Sequence, residues 1–149
     1  MCYHRAVGAR IVVDSNVIVA SLIGARGDNR AVLRACLSGS PQPVIGETLF
    51  LEYEDVMGRR KLFQRSSLSR VERQQLLEAF LSVCDWVHVY YGWRPNLPDE
   101  GDNHLMELAV AAGADWIVTN NVTDFQRAEL RLPQIGIIRP GEFIREMRL

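Results

Sequence analysis

Four stretches of this chain hold side chains whose types and spacing could do chemistry. Asp14 is a bare carboxylate placed directly after the β-branched run Ile11, Val12, Val13 and followed by Ser15 and Asn16. The stretch "LFLEYEDVM" carries Glu52, Glu54 and Asp55, "LPDEGDNHLMELAVAAGA" carries Asp99 and Asp102, and "VTNNVTDF" carries Thr119, Asn121 and Asp124. Carboxylates joined by amide and water oxygens are hard donors that suit Mg²⁺ or Mn²⁺, not Zn²⁺. An acid cup of that kind can activate a water and neutralise a phosphodiester. Two carboxylates about 4 Å apart repel by about 4 kcal/mol at an effective dielectric near 20. A shared proton, an arginine or a cation must offset that.

Each residue also has an ordinary structural use. Asp14 or Asp102 could cap a helix, worth about 1 kcal/mol. Asp99 could be a solvated loop acid, and Asn121 or Asp124 turn residues. On a helical wheel Leu49, Phe50, Tyr53, Val56 and Met57 form one stripe, with Glu52 at one border and Glu54 at the other. Helical geometry therefore leaves both glutamates open. His104 lies off the stripe of Leu105, Leu108, Ala109 and Ala112 and has no second histidine at metal-ligand spacing, so it reads as a surface residue.

The elements that must position these groups alternate. Strands are expected at Arg10–Val13, "PVIG", "WVHVYY", "DWIVT" and "IGIIR". Helices are expected over Asn16–Ile23, from a cap at Asp28 or Asn29, over Glu47–Gly58, and from a cap at Ser67 or Ser69 to near Asp85 with Val71, Leu76, Leu77, Phe80, Leu81 and Cys84 inward. Others run from Asp102 to Gly113, after "NNVTDF", and from Pro140, a residue suited to a first helical position. Strict alternation implies a parallel sheet of about five strands with helices on both faces. In such sheets function gathers at the carboxyl ends of strands, near a switch in strand order. Asp14 and the "TNNVTD" turn would share that edge.

The 149 residues suffice for one domain, expected over 10–149, with 1–9 as a flexible leader. No apolar run nears the roughly 18–20 residues of a membrane helix, and no signal peptide is evident. Three scattered cysteines fit a reducing cytoplasm rather than a disulfide framework or a zinc site. The net charge of −1 gives no global field for nucleic acid, but six of the seventeen basic residues cluster as Arg59, Arg60, Lys61, Arg65, Arg70 and Arg73. Such a segment is a candidate phosphate-binding edge.

With these residues in view, the chain resembles the PIN-domain family of metal-dependent ribonucleases, and within it the VapC-like toxins of bacterial toxin–antitoxin pairs. "IVVDSNVIVASLIG" looks like the opening strand with its first acid, "ETLFLEYEDVM" like the acidic helix, and "PDEGDNHLMELAVAAGADWIVTNNVTDF" like the third and fourth acidic motifs. The resemblance spans about Arg10 to Phe143. It implies a three-layer α/β/α, Rossmann-like fold and a Mg²⁺- or Mn²⁺-dependent endoribonuclease. Asp14, Asp102 and Asp124 would hold the metal, Glu52 would complete the cup, and Asn16, Asp99, Thr119 and Asn121 would support it. It also implies an RNA substrate gripped at Arg59, Arg60, Lys61 and Arg65, a homodimer and a small antitoxin. Many members carry an acid where Asn121 stands; others read Thr-x-Asn-x-x-Asp-Phe, as Thr119 to Phe125 does here. Asn121 keeps a non-catalytic, degenerate binding module as an alternative. An Asp-based phosphatase or phospho-acceptor is a further one, although it would want a second Asp at Asn16 or a lysine late in a strand, and Lys61 is the only lysine.

Overall fold

A computed structural model describes residues 8–24, 27–89, 100–126 and 134–147, excepting the side chains of 100–103 and 126. Strand β1 (Arg10–Val13) is flanked on both sides, so Ile11, Val12 and Val13 are all buried. Their branched side chains suit a pleated surface covered on both faces. β1 pairs in parallel with β2 (Gln42–Ile45) and with β4 (Trp116–Val118). The edges are β3 (Asp85–Trp86), beside β2, and β5 (Gly136–Ile138), beside β4. The order β3-β2-β1-β4-β5 is that of a doubly wound sheet whose direction of build reverses between β1 and β4.

The helices are α1 (Ser15–Ile23), α2 (Asp28–Leu37), α3 (Glu47–Met57), α4 (Arg70–Val83), α5 (Glu100–Ala112), α6 (Val122–Gln126) and α7 (Pro140–Met147), with a 3₁₀ turn at Arg60–Phe63. α1, α2, α4 and α7 pack on one another, while α5 packs against β1 and β4. Sheet and helices form the three layers of the expected α/β/α fold. Among the described residues no helix is long and apolar enough to cross a membrane.

Several local expectations change. β3 is two residues long rather than six, with only one further backbone bond, from Val87 N to Ile45 O at 2.8 Å. Among the described residues it is an edge strand with a partner on one side only. Val87 and Val89 stay half-buried and His88 exposed, so the alternation that suggested a strand survives without the pairing. The rest of "WVHVYY" lies outside the described residues. α2 is capped by Gly27, not by Asp28 or Asn29, and no side chain caps it. Ser69, not Ser67, caps α4: its hydroxyl accepts from Glu72 N at 3.1 Å while Glu72 Oε1 accepts from Ser69 N at 2.8 Å. Val71 is 65% exposed, because it falls about 120° around the helix from the buried Leu77. α5 begins at Glu100, two residues before the expected start. Ala9, assigned by sequence to the leader, is buried, and its carbonyl accepts from Gln42 N at 2.8 Å. Residues 1–7 lie outside the described residues.

At the amino end of the sheet Arg10 ties three elements together. Its backbone N donates to Asp115 Oδ2 at 3.0 Å, its Nε to Ala112 O at 2.9 Å, and its guanidinium pairs with Asp85 at 2.9 Å. The carboxyl end of the sheet is left to the acids.

Candidate active site

Asp14 occupies the N-cap position of α1 with extended backbone, φ −63° and ψ 148°. Its N donates to Val118 O at 3.0 Å, and its carbonyl accepts from Val17 N at 3.0 Å. Its carboxylate makes no capping bond to the helix, so a capping role does not account for it. The side chain is 5% exposed and is held from β4 instead. Thr119, fully buried just past β4, donates from Oγ1 to Asp14 Oδ2 at 2.8 Å. Asn16 Nδ2 donates to the same oxygen at 3.2 Å, and Asn16 Oδ1 accepts from Asn120 N at 3.2 Å. Asn121 N in turn donates to Thr119 Oγ1 at 3.0 Å. The switch between β1 and β4 is thus bridged by one carboxylate.

Glu52 joins this group through Ser15. The Ser15 hydroxyl lies 2.6 Å from Glu52 Oε1 and 3.5 Å from Asp14 Oδ1. A hydroxyl has one hydrogen to give, and the short contact takes it. Asp14 Oδ1 therefore has no short donor among the described side chains. Tyr53 sets the angle of α3: it is fully buried, its ring packs edge-on to Phe80 at 6.1 Å, and its hydroxyl donates to Val13 O at 2.5 Å. That bond ties the residue beside Glu52 to the residue beside Asp14. Glu54 is exposed on the far border.

The sequence reading missed His104. It is half-buried on α5, and its Nε2 lies 2.5 Å from Glu52 Oε2. Its Nδ1 is buried with no hydrogen-bond partner. The available signal was Leu108, one helical turn on and buried, which puts His104 on a face turned inward.

The environments push the two acids apart. Burial lifts the Asp14 carboxyl above the ordinary carboxylate range; the Thr119 bond pulls against that, and the charge of Glu52 adds to the lift. Burial also works to lift Glu52, but hydrogen bonds from His104 and Ser15, with the charges of His104 and Arg59, hold it below its ordinary value. Asp14 is thus an anion short of positive partners beside a second anion that has them. The chemistry of this donor set, carboxylate oxygen flanked by hydroxyl and amide, fits a hard divalent cation.

Asp124 joins this group indirectly. Asp124, half-buried on α6, accepts from Asn121 Nδ2 at 2.5 Å, so it reaches Asp14 only through Asn121 and Thr119. Among the described residues no three His, Cys, Asp or Glu side chains stand together as a metal site. Asp14 and Asp124 are the two of the three expected metal acids whose side chains are described, and Thr119 and Asn121 link them. Asp102 falls in the first turn of α5, with its side chain outside the described residues, and Asp99 lies outside them altogether. In the basic segment Arg59 is ion-paired with Asp55 at 2.6 Å, and Arg73 lies 4.7 Å over the Phe63 ring and donates to Leu68 O. Arg60, Lys61 and Arg65 are exposed on and beside the 3₁₀ turn, which Phe63 and the bond from Ser66 Oγ to Leu22 O anchor on α1. Lys61 is therefore not at a strand end, where a phospho-acceptor domain would need its lysine.

Comparison with known proteins agrees with this architecture. No curated protein matches the chain. Among solved structures it is similar to one described as VapBC2 from Rickettsia felis bound to a DNA fragment from their promoter. The TM-score is 0.56 at 15% identity, over 87% of this chain and 98% of that one, a likeness of fold. A family model for the PIN domain matches residues 10–123, which include β1 with Asp14, α3 with Glu52 and β4 with Thr119. Over that span, most of its length, the chain belongs to the PIN domain family.

Proposed function

We propose that this chain is a divalent-metal-dependent endoribonuclease and the toxin of a toxin–antitoxin pair. The observation that carries the reading is Asp14: a buried carboxylate at the switch point of the sheet, fixed on one oxygen by Thr119 and Asn16, reached on the other by a side chain only at 3.5 Å, and lifted by burial and by a neighbouring acid. Asp14, Asp102 and Asp124 would hold Mg²⁺ or Mn²⁺. When bound, the cation supplies positive charge to the phosphodiester and acidity to a water. Thr119 and Asn16 fix the plane of the Asp14 carboxylate and leave Oδ1 for a ligand. Glu52, kept ionised by His104 and Ser15, orients the attacking water and accepts its proton. Asp99 and Asn121 would support the site. Arg60, Lys61 and Arg65, with Arg59 once released from Asp55, would hold the RNA backbone, since phosphate contacts supply affinity without reading sequence.

The solved structure of similar fold is described as VapBC2 bound to a DNA fragment from their promoter, and that naming of two components supports a small antitoxin as partner here. A homodimer and a cytoplasmic location complete the proposal. A second reading, a non-catalytic binding module, is favoured by one observation: Asn121 occupies the place of an acid and engages Asp124. The test is incubation of the purified chain, free of partner, with pooled single-stranded and structured RNAs in Mg²⁺, Mn²⁺ or EDTA, with Asp14→Asn as control. Metal-dependent cleavage lost in the variant is expected. No cleavage and no Mn²⁺ binding by calorimetry would favour the binding module.

A further inference from the structure

Beside the acids lies a cavity of about 330 Å³, within the range of small-molecule sites. It opens at the carboxyl ends of β2 and β3 and is walled by Gly46, Glu47, Trp86, His88, His104 and Glu107. His104 also holds Glu52, so the cavity adjoins the candidate active site. Glu107 is 8% exposed, and among the described residues its carboxylate makes no hydrogen bond or ion pair. It lines the cavity, as does the buried and unpartnered Nδ1 of His104. The Glu107 carboxylate oxygens are not sealed off, so the donors of a ligand in the cavity can reach them. Trp86 is 53% exposed, with Phe50 behind it at a ring distance of 5.3 Å and a tilt of 55°.

The geometry points to a base-recognition subsite that takes a guanine of single-stranded RNA. This rests on the ribonuclease reading for the polymer. Glu47 and Glu107 repel a phosphate, so the occupant is not the backbone. Guanine offers two adjacent donors, N1–H and the N2 amino group, to the two oxygens of one carboxylate. Uracil flanks its single N–H with two acceptors, and adenine and cytosine each present one amino group beside an acceptor. Unpaired bases are read in this way, by stacking on an aromatic ring and hydrogen bonding at the Watson–Crick edge. Trp86 supplies the ring, Glu107 the acceptors.

The test is fluorescence anisotropy of the full chain with 2′-O-methyl oligouridine, against the same oligomer with one guanine or one inosine, in EDTA so that no cleavage is required. One guanine should tighten binding about tenfold to hundredfold, and inosine, which lacks the N2 amino group, should lose most of that gain. Glu107→Gln should bring the guanine-to-uracil ratio towards one. Trp86→Ala, an exposed position, should weaken all purine oligomers while keeping guanine ahead of inosine. Equal affinity for the three oligomers overturns the assignment, as does a full guanine preference in Glu107→Gln. Displacement of the oligomer by a Gly-Arg-Gly peptide without any guanine preference would assign the pocket to a protein partner instead. Guanine preference with no cleavage in any metal defeats the ribonuclease reading alone, and cleavage without guanine preference defeats the subsite alone.

Discussion

Replacing Asp14 with Asn should leave the metal-free protein at least as stable while removing cleavage. The carboxylate accepts two good hydrogen bonds, from Thr119 at 2.8 Å and Asn16 at 3.2 Å. An amide oxygen can accept both, but as neutral bonds, which forfeits about 1 kcal/mol each. Against this stands a buried charge at 5% exposure with Glu52 beside it; burying one such ion costs several kcal/mol. The upward shift of Asp14 says that burial and Glu52 outweigh the hydrogen bonds. The net expectation is a gain of about 1 kcal/mol near pH 7, or about 3 °C in Tm. Because the folded pKa lies above the ordinary value of 3.8, the penalty is absent below that value and grows as pH rises through the window above it. The advantage of the variant should therefore fade as pH falls towards 3.8. Urea denaturation in EDTA at stepped pH measures this, alongside cleavage in Mn²⁺, which should fall by about a hundredfold or more. A loss of several kcal/mol on substitution, or an advantage that persists unchanged at low pH, would refute the reasoning and make Asp14 a structural residue.

Three further outcomes follow from the geometry. Glu52→Gln should lower stability at neutral pH by no more than about 1 kcal/mol, since the pair with His104 is partly solvated, and should flatten the acid arm of the stability profile. That arm exists because the folded pKa of Glu52 is depressed below 4.5, so its contribution is lost as pH falls through the depressed value. Tyr53→Phe should cost about 1–2 kcal/mol by leaving Val13 O without its buried donor, and should lower cleavage as α3 loosens, read by denaturation and RNA assays. Gly136→Ala should cost about 1–3 kcal/mol, because a Cβ there would stand 2.4 Å from the Trp116 ring; a denaturation midpoint unchanged from wild type would contradict it.

Much of the architecture was legible because its signals are local. The run Ile11–Val13 can only be a covered strand, and alternation of strands and helices leaves few topologies. The short β3 was not legible, since "WVHVYY" alternates correctly while, among the described residues, only β2 pairs with this segment. Val71 was misread because apolarity was counted without the phase set by Leu77 and Phe80. At the site, Asp14 was found because a charge after a buried strand is conspicuous. Glu52 and Glu54 could not be separated on a wheel, because what distinguishes them is Ser15 and His104, which belong to other elements. His104, Glu107 and the engagement of Asp124 by Asn121 depend on tertiary proximity that spacing does not encode.

The bridge between Asp14 and Thr119 joins residues 105 apart in sequence. β4 must insert beside β1 before Thr119 can meet the carboxylate, so the site depends on a long-range pairing. At a synthesis rate of about 5–20 residues per second, a nascent chain carries Asp14 for about 5–20 seconds before its partner has been made. Throughout that interval the acid has no second wall. The strand order thus sets an order of assembly: a chain that ends before β4 holds Asp14 without the Thr119 bond that fixes its carboxylate.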